Sequence, residues 1–195
     1  MYQSLIYRNI FIYRLLMNLI YFGKYKRRFE RINRLIKTDA KNVIELCFGD
    51  VYIADYCNKK DIHWTGYDLN ENFVAHAKKL GFNAFEQNIV IDDEFLKCDT
   101  YIIIGSLYHF KDKGSDLIRK MIESSKHVII SEPIKNLSAA KGIIGYIARK
   151  STNAGNGHEE FRYNEQSFIA MMDKLRVRYK IISMDKDILI EIHND

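Results

Sequence analysis

Apolar positions along the chain change period several times, and each change marks an element. Residues 5–22 are strongly apolar, with Arg8, Asn9, Arg14 and Asn18 breaking the run at near-helical spacing. From Arg27 to Ile36 the pattern stays helical, with Phe29, Ile32, Leu35 and Ile36 on one face, and Lys37-Thr-Asp-Ala40 forms a loop. Strand and helix patterns then alternate: strand Val43–Cys47, helix Tyr52–Lys59, strand Ile62–Tyr67, helix Asn72–Leu80 closed by Gly81, and a short strand Asn83–Gln87. Thr100–Ile104 and His127–Ile130 are unbroken apolar runs, the mark of strands buried on both faces, with a helix over Asp116–Ser124 between them. A helix over Phe168–Leu175 precedes strands Arg178–Met184 and Ile188–Ile192, joined through Asp185-Lys-Asp187 as an antiparallel hairpin. The pattern predicts an α/β three-layer sandwich whose mostly parallel sheet ends in that hairpin. The domain spans 39–195 and follows a basic helical extension over 1–38. No internal repeat is present.

Composition narrows the class. A chain of 195 residues that is 47% hydrophobic and 28% charged suits one soluble domain with a full core. Cys47, Cys57 and Cys98 form no CxxC or Cys/His cluster, which argues against a zinc centre or a disulfide framework and for a reducing, cytoplasmic setting with no metal. The charge of +5 is uneven: residues 1–37 hold nine Lys/Arg against Glu30 alone, which is +8, so the remainder carries −3. The apolar run has neither charges ahead of it nor small residues behind it, so it does not read as a signal peptide. A spanning helix would bury Arg14 near the bilayer centre at roughly 2.5–3.5 kcal/mol. Three readings stay open: an amphipathic helix packed on the domain or on a second subunit, a helix lying in the membrane interface with Lys24 to Arg28 facing anionic headgroups, and a true span. Nucleic acid is disfavoured, because the segment is too apolar for a groove that stays wet.

Two stretches carry candidate chemistry. Asn42-Val-Ile-Glu-Leu-Cys-Phe-Gly-Asp-Val51 is a buried strand that breaks at Gly49-Asp50 and hands over to a helix, placing backbone N–H groups where α/β sheets bind nucleotide-like ligands. Gly66-Tyr67-Asp68 ends the second strand, about twenty residues on, with a carboxylate able to accept from two ribose hydroxyls. Asp68 or Asn70 could alternatively cap the following helix.

Over about residues 40–193 the chain resembles the class I S-adenosylmethionine-dependent methyltransferases, whose parallel sheet also finishes in an antiparallel hairpin. The resemblance rests on Glu45-Leu-Cys47-Phe-Gly49-Asp50-Val51, although Cys47 and Val51 stand where the family usually has glycine. It implies a Rossmann-like fold, S-adenosylmethionine as cofactor and S-adenosylhomocysteine as product. Glu45 would orient the cofactor's amino-acid end, Cys47 and Gly49 would let backbone approach it, Asp68 with Leu69 would hold the ribose, and Asn88 with Ile89 would contact adenine. Gly105 and Ser106, in Gly105-Ser-Leu-Tyr-His-Phe110, would flank the ligand beside the methyl group. Tyr108 and His109 would meet the acceptor, with His109 as general base for a hydroxyl; otherwise His109 packs or caps a helix. The Asn/Asp-Pro-Pro-Tyr signature of nucleic-acid amino-methylating relatives is absent. The excursion over 135–163 reads as an acceptor lid, lined with Glu132 by His158, Glu159 and Arg162, or as a solvated surface loop. The expected acceptor is a small molecule or a lipid- or polyprenol-linked glycan intermediate, with peripheral membrane contact through residues 1–37 and an oligomer as further options. The rival readings are an inactive methyltransferase-like partner subunit and a nicotinamide dehydrogenase, the latter weakened by the missing Gly-x-Gly-x-x-Gly.

Overall fold

The computed structural model describes residues 9–91, 95–135 and 161–194. Two helices, α1 (Ile10–Ile20) and α2 (Tyr25–Asn33), lead into β1 (Asn42–Leu46), α3 (Tyr52–Asn58), β2 (His63–Asp68), α4 (Glu71–Lys79) and β3 (Asn83–Glu86). The chain continues through β4 (Cys98–Ile104), a 3₁₀ turn at Leu107–Phe110, α5 (Gly114–Ser124), β5 (Ser125–Pro133), α6 (Glu165–Leu175), β6 (Lys180–Met184) and β7 (Asp187–His193). Seven strands form one sheet in the order β3-β2-β1-β4-β5-β7-β6. The first five are parallel, and β7 inserts antiparallel between β5 and β6, as the closing hairpin pattern predicts.

The central strands feed two cores. Val43, Ile102, Ile104, Ile129 and Leu189 face the layer made by α1 to α4, where Phe29, Ile32, Ile53, Trp64 and Phe73 are buried. Ile44, Leu46, Tyr101, Ile103, Ile130 and Ile190 face the opposite layer, with Ile118 and Met121 of α5 and Phe168 and Met172 of α6. Apolar burial on both faces explains the unbroken runs in β4 and β5. Both strands extend beyond those runs, because Cys98 pairs with Ser125 and Ile104 with Ser131 in the ladder. Strand β1 ends one residue earlier than its apolar pattern suggests: Cys47 sits at φ +52, outside the strand region.

Helices α1 and α2 lie on the sheet rather than apart from it. Tyr25, Phe29, Ile32 and Ile36 are buried in the first core, joined by Ile10, Tyr13, Met17 and Ile20 of α1. Arg14 grips Asp50 through Nη2–Oδ1 at 2.7 Å and Nε–Oδ2 at 3.0 Å, so the charge that interrupts the apolar run anchors α1 to the turn after β1. Among the described residues no helix is long and apolar enough to cross a membrane.

Candidate functional site

The order reverses between β1 and β4, which opens a crevice at the carboxyl ends of those strands. The turn after β1 forms one wall. Cys47 and Gly49 both hold left-handed backbone, at φ +52 and +56. Glycine takes that conformation freely, whereas an L side chain pays about 1–2 kcal/mol, so Cys47 performs a glycine's task under strain. Gly49 needs its missing side chain twice over, since a Cβ would stand 3.2 Å from Tyr13 Oη. The facing wall is Gly105, at φ +63, where a Cβ would fall 2.8 Å from Nη2 and 2.9 Å from Nη1 of Arg28. Tyr13 from α1 and Arg28 from α2 thus roof the two glycine turns.

Asp68 sits at the end of β2 and locks the first turn. Its Oδ2 accepts the Gly49 N–H at 3.0 Å and its Oδ1 accepts the Asn70 N–H at 2.8 Å. Helix α4 is capped by Asn70, whose Oδ1 accepts from Asn72 N at 2.9 Å. That division of labour leaves Asp68 to the crevice. Burial raises its pKa to about 6, against the Asn70 and Gly49 backbone donors that lower it.

Glu45 lies deeper. Its side chain is fully buried, Oε2 accepts from Trp64 Nε1 at 3.0 Å, and Oε1 has no hydrogen-bond partner among the described residues. Burial pushes its pKa well up. Gly66, opposite Glu45 in the ladder, makes this possible: a Cβ there would fall 2.1 Å from Trp64 Cη2, so the indole crosses an empty place to reach the carboxylate. The glycine of Gly66-Tyr67-Asp68 therefore serves Trp64 and not the crevice. Burial, then the charges of Asp68, Glu132 and Glu45 in turn, raise the Cys47 thiol.

Neither a family model nor a curated protein matches the sequence. Solved structures do. A SAM-dependent methyltransferase from Archaeoglobus fulgidus superposes with a TM-score of 0.68 at 14% identity, over 93% of this chain and 99% of that one. The methyltransferase domain of bacterial CtHen1 gives 0.65 at 17% identity, over 86% and 97%. Magnesium protoporphyrin IX methyltransferase from Synechocystis PCC 6803, solved with bound SAH, gives 0.64 at 14% identity, over 88% and 84%. The fold is that of the class I methyltransferases. The turns at Gly49 and Gly105 bound the candidate site, and Asp68 reaches the first of them through the Gly49 N–H.

The remaining residues singled out on the methyltransferase pattern are placed less uniformly. Leu69 is exposed and Ile89 is buried in the α5–α6 core. Asn88 Oδ1 accepts from Val90 N at 3.2 Å, which leaves its carbonyl one further lone pair. Ser106 Oγ donates to Ile104 O at 3.2 Å. Glu132, expected to line the acceptor, is 1% exposed and clamps the 3₁₀ turn, its Oε2 accepting from Leu107 N at 3.0 Å and its Oε1 from Tyr108 N at 3.3 Å. Burial lifts its pKa to about 8, although the Arg28 charge lowers it. The Arg162 guanidinium stacks 3.8 Å over the Tyr108 ring, and the His109 ring lies 4.0 Å from that of Tyr108. Burial, then Arg162, lower the His109 pKa to about 4, so this imidazole is neutral at physiological pH. His158, Glu159 and residues 136–160 of the expected lid lie outside the described residues.

Sequence reasoning missed Tyr13 and Arg28. The signal for Arg28 was present: it stands three residues after buried Tyr25 and four before buried Ile32, a charge on an apolar helix face.

At the opposite end of the sheet, His127, Glu191 and His193 bring three donor atoms within 4.8 Å of one another. The two rings stack at 4.4 Å and 6°, so their lone pairs lie in parallel planes and cannot converge on one ion in this arrangement. His127 is 1% exposed, and neither ring nitrogen has a hydrogen-bond partner among the described residues. Burial first, then His193, lower its pKa to about 4. A lowered histidine pKa stabilises the fold above the unfolded value, near 6.5, and that stability is lost as the pH falls toward about 4. Urea unfolding of His127→Leu should therefore show a shallower decline through this window, with a difference on the order of 2 kcal/mol at its acid end.

Proposed function

We propose that the protein is an S-adenosylmethionine-dependent methyltransferase acting on a small-molecule acceptor. The observation that carries this reading is the charge arrangement in the crevice. Asp68 accepts the Gly49 N–H at 3.0 Å, the buried Glu45 leaves Oε1 without a hydrogen-bond partner among the described residues, and the Arg28 guanidinium covers Gly105. A ligand with a sulfonium, an ammonium, a carboxylate and a ribose diol is complementary to that set: its cationic centres relieve carboxylates that burial disfavours at Glu45 and Asp68, and Arg28 suits the carboxylate. Glu45 Oε1, without a partner among the described residues, and the two glycine turns suit the same group. S-adenosylmethionine supplies a methyl group on a sulfonium, which leaves as a neutral thioether without acid catalysis.

The chain's own task is then to align the acceptor and to exclude water. Tyr13 and Arg28 close the crevice from above, and Glu132 fixes the 3₁₀ turn that carries Tyr108 and His109. A neutral His109 is able to take a proton from a hydroxyl acceptor, and its lowered pKa makes it a weak base, which fits an acceptor that surrenders its proton late or needs no base. The exposed apolar side of α1 favours an acceptor held on a lipid or polyprenol among the small molecules considered.

The inactive-subunit reading draws on Cys47 and Val51; the first is accommodated under strain and the second needs no glycine. Cys47 adopts the glycine conformation, and Val51 is buried at the start of α3 at φ −92, where no glycine is needed. Titration calorimetry of the full chain with S-adenosylmethionine tests the proposal: micromolar binding is expected, and no heat at millimolar ligand would remove it.

A further inference from the structure

Helix α1 is apolar on two sides. One side, Tyr13, Met17 and Ile20, packs on the core. The other carries Phe11, Leu15 and Leu19 at four-residue spacing, which are 73%, 65% and 66% exposed, with Ile12 beside them. Phe22 continues the stripe past the helix end and is 69% exposed. Its backbone is left-handed at φ +50, a conformation costly for an aromatic residue, and it holds a large ring in solvent. Five large apolar side chains on one short helix and its exit exceed the scattered exposure of an ordinary surface.

Cations border the stripe. Lys24, Lys26 and Arg27 follow Phe22 directly and are exposed, and Lys186 reaches across from the β6–β7 turn, its Nζ 4.1 Å above the Tyr21 ring and 5.8 Å from that of Phe22. The only acid of residues 9–37 is Glu30.

We propose that this face docks on an anionic lipid bilayer, with Phe11, Leu15, Leu19 and Phe22 entering the interface and Lys24, Lys26 and Arg27 meeting the headgroups. Charge decides between occupants. A second copy would cover the stripe but bring no counter-charge to its basic border, whereas an anionic bilayer complements both. A nucleic acid would satisfy the cations and leave the stripe in water. The seating has a structural consequence: Tyr13, on the packed side of the same helix, covers Gly49, so docking would hold the crevice next to the membrane. Methyl transfer plays no part in this docking.

Flotation of the full chain with vesicles tests it, using phosphatidylcholine alone and equal parts phosphatidylcholine and phosphatidylglycerol. The wild type should float with the anionic vesicles only, and binding should weaken as salt is added. Leu15→Glu with Leu19→Glu should reduce partitioning at least about tenfold, and Lys24→Glu with Lys26→Glu about tenfold, both with an unchanged thermal melt. Failure of the wild type to float, or flotation of the Leu15→Glu/Leu19→Glu variant at the wild-type level, would overturn the proposal. So would light scattering that finds a wild-type dimer which this variant converts to monomer, because the face would then belong to a second copy.

Discussion

Asp68→Ala is expected to weaken S-adenosylmethionine binding at least about a hundredfold, as measured by titration calorimetry at neutral pH. Hydrogen bonds to a charged group contribute roughly 1.5–3 kcal/mol each, and a ribose diol offers two to one carboxylate. The same carboxylate accepts the Gly49 and Asn70 N–H groups, so its loss also frees the turn that admits the ligand. Asp68→Asn keeps one carbonyl acceptor and should lose less. The pH profile separates the ligand role from a folding role. With a pKa raised to about 6, Asp68 begins to protonate in mild acid, and wild-type affinity should fall below that pH while the asparagine variant stays flat. Stability runs the other way. A carboxyl whose folded pKa is raised stabilises the fold fully below its unfolded pKa, and that contribution is lost as the pH rises through about 6. A neutral residue at this position therefore does not cost the charge's share of stability at neutral pH. An asparagine variant with wild-type affinity and wild-type pH dependence would remove Asp68 from the ribose contact.

What the sequence disclosed follows from how local each signal is. The β4 and β5 runs are buried on both faces, so composition alone marks them, and the hairpin is marked by its polar joint, which is two residues long because Asp187 belongs to β7. The turn after β1 was legible through Gly49, and Asp68 through its distance from that glycine. Cys47 was read as a departure from a glycine pattern, but its left-handed backbone depends on tertiary context, which no residue type reports. Glu132 was read as an acceptor contact because it follows a strand at the ligand end. Its side chain turns inward because the Leu107 and Tyr108 N–H groups at the start of the 3₁₀ turn need an acceptor, and these lie twenty-five and twenty-four residues away in sequence. The roof over the crevice was the least legible part. Tyr13 and Arg28 reach it only because α1 and α2 fold back over the sheet, a packing of elements that residue spacing describes one at a time.

Arg28→Met is expected to destabilise the protein by about 3–5 kcal/mol in urea unfolding, because it removes one partner of a buried ion pair. Arg28 Nε lies 2.8 Å from Asp187 Oδ2, with the side chains 8% and 12% exposed. Burial works against the Arg28 charge, and Asp187 together with Tyr21, Tyr25 and Glu132 more than offsets it, so the net shift holds the guanidinium charged. Without Arg28 the Asp187 carboxylate retains the Tyr21 hydroxyl, which donates to it at 3.0 Å, but no paired cation at the same place. Combining Arg28→Met with Asp187→Asn removes both charges and keeps a carbonyl for Tyr21, so most of the lost stability should return. Ligand binding should not return with it. The Arg28 guanidinium covers Gly105 at the crevice, and a methionine there offers nothing to a carboxylate. The double variant should therefore fold near the wild-type level and bind S-adenosylmethionine at least about tenfold more weakly, the scale of one lost charged hydrogen bond. Wild-type affinity in that variant would make Arg28 a structural partner of Asp187 alone. Because one guanidinium ties α2 to β7 and also closes the crevice, the helices ahead of the sheet belong to the site as much as to the fold.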